Sequence, residues 1–242
     1  MTPPVYSHET HALLLIKAAD LFQLSKENQT AIMNKINFGY ARNHAKFNTM
    51  EGGRIKDLEN FAGDAGFEGH LNESYLYLYT KKNSHAYKSL SSSADSQKEI
   101  YDLYEMIHVT QENKDQFVIT EEDIDGCVGF KPHHSYPDGK TIEPTCFATF
   151  LPRLGSVLLP LGEKHFATMF DVEQFIVEVF IEHNLREYYA NYHNYTEIRQ
   201  FHIPIDYSPE ETGLEPGIIF KKPMNMSVMI KKVWDLVIIG FV

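Results

Sequence analysis

The sequence predicts an α+β fold, with a helix-rich N-terminal half and a C-terminal half in which a small, mainly antiparallel sheet packs on one long helix. Three observations lead there. Residues 5–131 contain no proline, although the chain has eleven, and helix interiors tolerate proline poorly. Residues 163–203 contain neither glycine nor proline; within them Val172, Phe175, Ile176 and Val179 recur at helical spacing, with Asp171 as N-cap and Glu173 in the first turn. Residues 145–151 and 156–161 have strand composition and are separated by Pro152 to Gly155, which reads as a hairpin leading into that helix.

In chain order, Ser7 caps a first helix over residues 8–24, with Leu14, Leu15, Ala18 and Phe22 on one face. A second helix follows Ser25 and ends near Gly39 or Arg42. The five glycines between 52 and 69 imply loops around a short helix at 55–62. Residues 71–90 alternate like a strand through Tyr75, Tyr77 and Tyr79 but continue at helical spacing, so a helix is read. The serines at 89–96 form an exposed loop, and Ile100, Leu103, Tyr104 and Ile107 make another helical stripe. Residues 116–119 and 127–130 are short strands. Between them Thr120 caps a helical turn over 121–125, and residues 131–144 form a polar loop with the Asp138-Gly139 turn signal. Further strands are read at 199–205 and 217–221, and the apolar tail 228–242, with the sole tryptophan Trp234, is expected to be buried. One domain spans 1–242; its possible subdivision is a helical part, 1–115, and an α+β part, 116–242.

The chain is 43% hydrophobic and carries a formal charge of −11, enough apolar material for a core and the wrong sign for binding nucleic acid or an anionic membrane. Residues 121–215 hold 6 Lys+Arg against 17 Asp+Glu, and residues 216–242 hold 4 against 1. Two cysteines, Cys127 and Cys146, make no disulfide framework, so a cytoplasmic protein is expected. No apolar run reaches the ~18–20 residues of a membrane span.

The leading functional expectation is a binding or regulatory protein that contacts a protein partner through an acidic surface around 178–215, rich in aromatic rings: Tyr188, Tyr189, Tyr192, His193 and Tyr195. The alternative is a small enzyme in one of two forms. A metal-assisted form would place a transition metal on His8 and His11 of the first helix with His183 and Glu187, spaced i,i+4 on the long one. No cofactor is otherwise read. A hydrolase form would use Cys146 as nucleophile with His202 and Asp206. Several motifs fall short: His8-Glu9-Thr10-His11 is one residue too short for a zinc-protease motif, Glu105 and His108 lack a second such pair, and residues 121–132 end in Pro132 where a calcium loop needs glutamate. The tandem His133-His134 reads as part of an ordinary polar turn. There is no phosphate loop, dinucleotide fingerprint or nucleophile elbow.

Overall fold

A computed structural model describes residues 7–93, 96–208 and 219–236. Its centre is a mixed sheet of nine strands, which overturns the expectation of a helix-rich half beside a small sheet. Residues 11–17 show the cause. They read as a helical face but form β1 (His11–Lys17), whose Leu14 and Ile16 enter one core and Leu13 and Leu15 the other. A strand covered on both faces is a continuous apolar run, and such a run carries no period to separate it from a buried helix.

After β1 come the short α1 (Ala18–Leu21) and α2 (Lys26–Phe47). The Ser25 hydroxyl caps α2 by accepting the Asn28 N–H, as the sequence indicated, but the helix runs on to a left-handed Asn48. The hairpin strand β2 (Met50–Glu51) and α3 (Phe61–Asp64) lead to β3 (Tyr75–Lys81) and α4 (His85–Ser91). The expected helix over 100–109 is the hairpin of β4 (Lys98–Tyr101) and β5 (Tyr104–Val109), turned by Asp102 and Leu103, both at positive φ. Thr120 and Asp123 form the expected capped turn over Glu121–Asp123. Residues 116–119 are not a strand.

β6 (Gly126–Pro132) and β7 (Thr141–Thr149) follow, then α5 (Gly155–Met169), which replaces the second arm of the predicted hairpin and tolerates Pro160 inside it. The predicted long helix, with Asp171 as its N-cap, is in fact three elements: β8 (Gln174–Phe180), α6 (Leu185–His193) and β9 (Thr196–Ile203). Two asparagines do the punctuating. Asn184 and Asn194 take φ of 58° and 60°, a left-handed conformation that asparagine accepts more readily than most residues. β10 (Ile219–Phe220) pairs with β2, and β11 (Met224–Lys232) closes the sheet. Trp234 just beyond is 63% exposed, contrary to the buried tail expected; residues 209–218 and 237–242 lie outside the described residues.

The strand order is β4-β5-β1-β3-β6-β7-β8-β11-β9. β1 runs parallel to β5 and β7 parallel to β8; the other neighbours are antiparallel. α2 covers one face through Ile32 and Ile36, packed with Leu14, Leu76 and Cys127. α5 and α6 cover the other through Leu158, Phe166 and Tyr189, packed with Leu13, Tyr77 and Phe130. Among the described residues no helix is long and apolar enough to cross a membrane.

Candidate active site

β7 and β8 are neighbours for only two residue pairs, Thr141 with Gln174 and Ile142 with Phe175. Beyond Ile142 the ladder stops and the strands diverge. The cause lies in β7. Opposite the single residue Val128, between the Cys127–Ala148 and Gly129–Thr145 pairs, β7 places two residues, Cys146 and Phe147, and Cys146 takes a left-handed φ of 50°. This is a β-bulge, which bends a strand and re-aims its side chains.

The opening holds a cavity of about 380 Å³. Its walls come from both faces of the sheet: Tyr40, Asn43 and His44 of α2 on one side, Leu185, Tyr188 and Tyr189 of α6 on the other, with Glu143 to Thr145 and Phe147 to Thr149 of β7 and Val177 through Phe180 of β8 between. The cavity therefore passes through the sheet. At the head of α5, exposed Arg153 takes a left-handed φ of 63°; the Leu154, Ser156 and Val157 N–H groups there already donate to the Leu151, Arg153 and Leu154 carbonyls, so the Arg153 guanidinium is what this corner offers an anion. Gly155 lets Tyr188 approach: a Cβ there would lie 2.2 Å from the Tyr188 hydroxyl.

Burial sets the electrostatics. It pushes the Tyr188 phenol up to about 12, so the hydroxyl keeps its proton at neutral pH. Burial, reinforced by His44, lowers His183 to about 4, leaving a neutral ring whose Nε2 lies 2.6 Å from Thr49 Oγ1. Burial lowers His44 as well. Two carboxylates, Glu143 and Glu178, face each other across the gap. Glu143 is matched by the buried ammonium of Lys131 at 2.8 Å.

The structure separates most residues singled out by sequence. Cys146 is fully buried in the bulge, and His202 lies exposed on β9 beside Asn225, three strands and so about 14 Å away; Asp206 is exposed beyond it. That removes the hydrolase arrangement. His8 packs edge-on to Tyr104 and His11 stacks on Tyr79, four strand steps from β8. His183 sits between Phe47 and Phe180, and left-handed Asn184 parts it from Glu187, which pairs with Arg186 at the surface. The four-residue metal cluster does not form. His133, His134 and Glu143 do bring ligand atoms within 4.8 Å of one another. However, His133 Nδ1 already accepts the Ser135 N–H and Glu143 is held by Lys131, so the set is engaged without an ion.

The tyrosine surface is overturned too. Tyr189, His193 and Tyr195 are buried, Tyr188 turns into the cavity, and of the five only Tyr192 is exposed. The residues that sequence reading missed are Tyr40, His44, Thr49, Glu143 and Arg153. Glu178 was read as surface acidity; its place amid Phe175–Phe180 signals a polar side chain on a buried strand once the period of two is recognised.

With this geometry in place, comparison with known proteins gives a family. The description Sporulation protein RMD6 matches residues 2–233. The chain belongs to that family. It is 21% identical over 223 residues to Sporulation protein RMD6 of Saccharomyces cerevisiae (strain ATCC 204508 / S288c), covering 91% of this chain and 94% of that protein. Similar solved structures include the spermidine N-acetyltransferase from Vibrio cholerae in complex with CoA and spermine, at 9% identity and a TM-score of 0.49, covering 93% of this chain and 98% of that one. A probable acetyltransferase from Staphylococcus epidermidis ATCC 12228 is 6% identical with a TM-score of 0.47, covering 92% and 99%. Identities and scores this low leave the gap itself to carry the functional reading.

Proposed function

We propose that the protein is an acyltransferase that moves an acyl group from a CoA-type thioester to an amine inside the gap between β7 and β8. The observation that carries this is the passage of the cavity through the sheet, which lets two substrates meet end to end from opposite faces. Crevices beyond the carboxyl ends of parallel strands are the usual ligand sites of open sheets. An extended pantetheine-like arm suits the interrupted ladder, where it can add as a strand, and exposed Arg153 ahead of α5 suits its phosphates. The amine enters on the α2 face. Its nitrogen attacks the thioester carbonyl, the C–N bond forms, the C–S bond breaks, and the departing sulfur takes the proton of the Tyr188 hydroxyl on the α6 face. Tyr188 regains a proton from the solvent. Two buried, unbridged cysteines suit a cytoplasmic enzyme.

Calorimetry with CoA, followed by thiol release from acetyl-CoA with a panel of amines, tests the reading. Micromolar CoA binding weakened by Arg153→Glu is expected. A protein that neither binds CoA nor releases thiol refutes it.

A further inference from the structure

Of the two carboxylates at the gap, we infer that Glu178 receives the acceptor's ammonium group and takes its proton, and that His133 is the positioning residue that fixes Glu178. This rests on the acyl-transfer reading and goes beyond it by assigning the acceptor side.

The choice between the carboxylates follows from their partners. Glu143 Oε2 lies 2.8 Å from Lys131 Nζ, and that ammonium is only 5% exposed, so the Glu143 charge is already balanced. Beside the Glu178 carboxylate stands the His133 ring, with Nε2 3.7 Å from Oε1. Glu178 thus lines the cavity with a neighbour that can orient it, and its carboxylate suits a cationic acceptor.

His133 adds an independent sign. The residue is 3% exposed, and its Nε2 is buried without a hydrogen-bond partner. Its Nδ1 accepts the Ser135 N–H at 3.1 Å, so the neutral ring carries its proton on Nε2, the nitrogen directed at Glu178. The ring is held by stacking on His134 and by the edge contact with Tyr136. At 3.7 Å the contact is too long for a hydrogen bond, and hydrogen bonds of this kind tighten when a ligand fills the site. A buried donor without a partner, aimed at a carboxylate on a cavity wall, is a prepared orienting contact.

The proton balance closes. The acceptor arrives as an ammonium and gives one proton to Glu178, which frees its lone pair for attack; Glu178 returns that proton to solvent before the next turnover. The second nitrogen proton leaves to solvent as the amide forms, while the sulfur is protonated by Tyr188. The titratable and charged groups around Glu178 are His133, His134, Lys131 and Glu143 from β6 to β7 and, on the walls of the same cavity, Arg42, His44, Glu51, Arg54 and His183.

The test combines three variants with acetyl-CoA and spermidine as probes. Glu178→Gln should lower kcat by about 10²–10⁴-fold with CoA binding unchanged by calorimetry and spermidine binding weakened. His133→Phe should lower kcat with CoA binding unchanged, and His133→Gln, which keeps an N–H donor, should restore most of it. If Glu178→Gln fails to fold, Glu178→Asp, which withdraws the carboxylate by one methylene, serves in its place with the same direction. Normal turnover by the Glu178 variant in a protein that binds CoA overturns this assignment and leaves the acyl-transfer reading standing. An unchanged kcat in His133→Phe, or a kcat that His133→Gln fails to restore, removes the positioning role. A wild-type protein that fails to bind CoA overturns both readings.

Discussion

Removing the ammonium of Lys231 isolates the most heavily buried charge in the fold. Lys231 on β11 is 2% exposed and Glu163 on α5 is fully buried; Nζ donates to Glu163 Oε2 at 2.6 Å, and the Tyr195 hydroxyl donates to Oε1 at 2.6 Å. Lys231→Met keeps the length and apolar bulk of the side chain and deletes only the charge. The carboxylate is then left in a dry site with one donor. Breaking a buried pair in this way costs about 3–5 kcal/mol, roughly a fifth or more of the ~5–15 kcal/mol typical of whole domains. At about 2–4 °C per kcal/mol for a chain of this size, the melting temperature falls by roughly 6–20 °C. Burial is the largest influence on the Glu163 carboxyl and pushes it up. With the ammonium gone that influence is less opposed, so the folded variant holds a proton that the unfolded chain releases above the ordinary carboxyl range. The variant is thus least destabilised near pH 5 and loses stability as pH rises. Glu163→Gln together with Lys231→Met removes both charges while Gln still accepts from Tyr195; it should recover to within about 1–2 kcal/mol of wild type. Urea denaturation of the four proteins at pH 5 and pH 7 measures the cycle. A loss below about 1 kcal/mol for Lys231→Met, or a double variant no better than the single, refutes the reasoning.

Three further outcomes are expected. Gly155→Ala should gain up to about 1 kcal/mol as an isolated helix position, but its Cβ would lie 2.2 Å from the Tyr188 hydroxyl, and this overpacking, about 1–3 kcal/mol, outweighs the gain; thermal melts should show net loss, relieved by adding Tyr188→Phe. Burial holds His183 and His193 down at about 4, so as pH falls from about 6.5 the unfolded chain takes up protons that the folded chain refuses, and stability declines toward pH 4; denaturation series at stepped pH should show the slope reduced by His193→Phe, and an unchanged slope would contradict the burial argument. Cys146→Val puts a β-branched side chain at φ 50° and should destabilise by about 2 kcal/mol, whereas Cys146→Gly should keep CoA binding, since the buried thiol has no chemical part; calorimetry on both separates the two claims.

The parts of this architecture that announce themselves in sequence are those decided by neighbours along the chain. The Ser25 cap of α2 and the Thr120 box are hydrogen bonds within three residues, and both were legible. The sheet was not, because β1 and β3 are buried on both faces and lose the alternation that marks a strand. The three elements read as one helix are separated by Asn184 and Asn194 in place of glycine or proline. At the site, Tyr188 was visible as an aromatic residue, but its inward direction depends on α6 crossing above Gly155. Glu178 and His133 meet only because β6, β7 and β8 lie side by side, a fact no spacing along the chain contains.

The bulge at Cys146 has a mechanical consequence. By ending the β7–β8 ladder after two pairs it leaves six strands on one side and three on the other, joined within the sheet by those two pairs alone. The buried triad of Glu163, Lys231 and Tyr195 clamps the three-stranded block to α5, so the joint is stiff on one face of the sheet and open on the other. Because both blocks line the opening, a molecule of the kind proposed above would touch each of them and, like a rivet, tie them together for as long as it stayed.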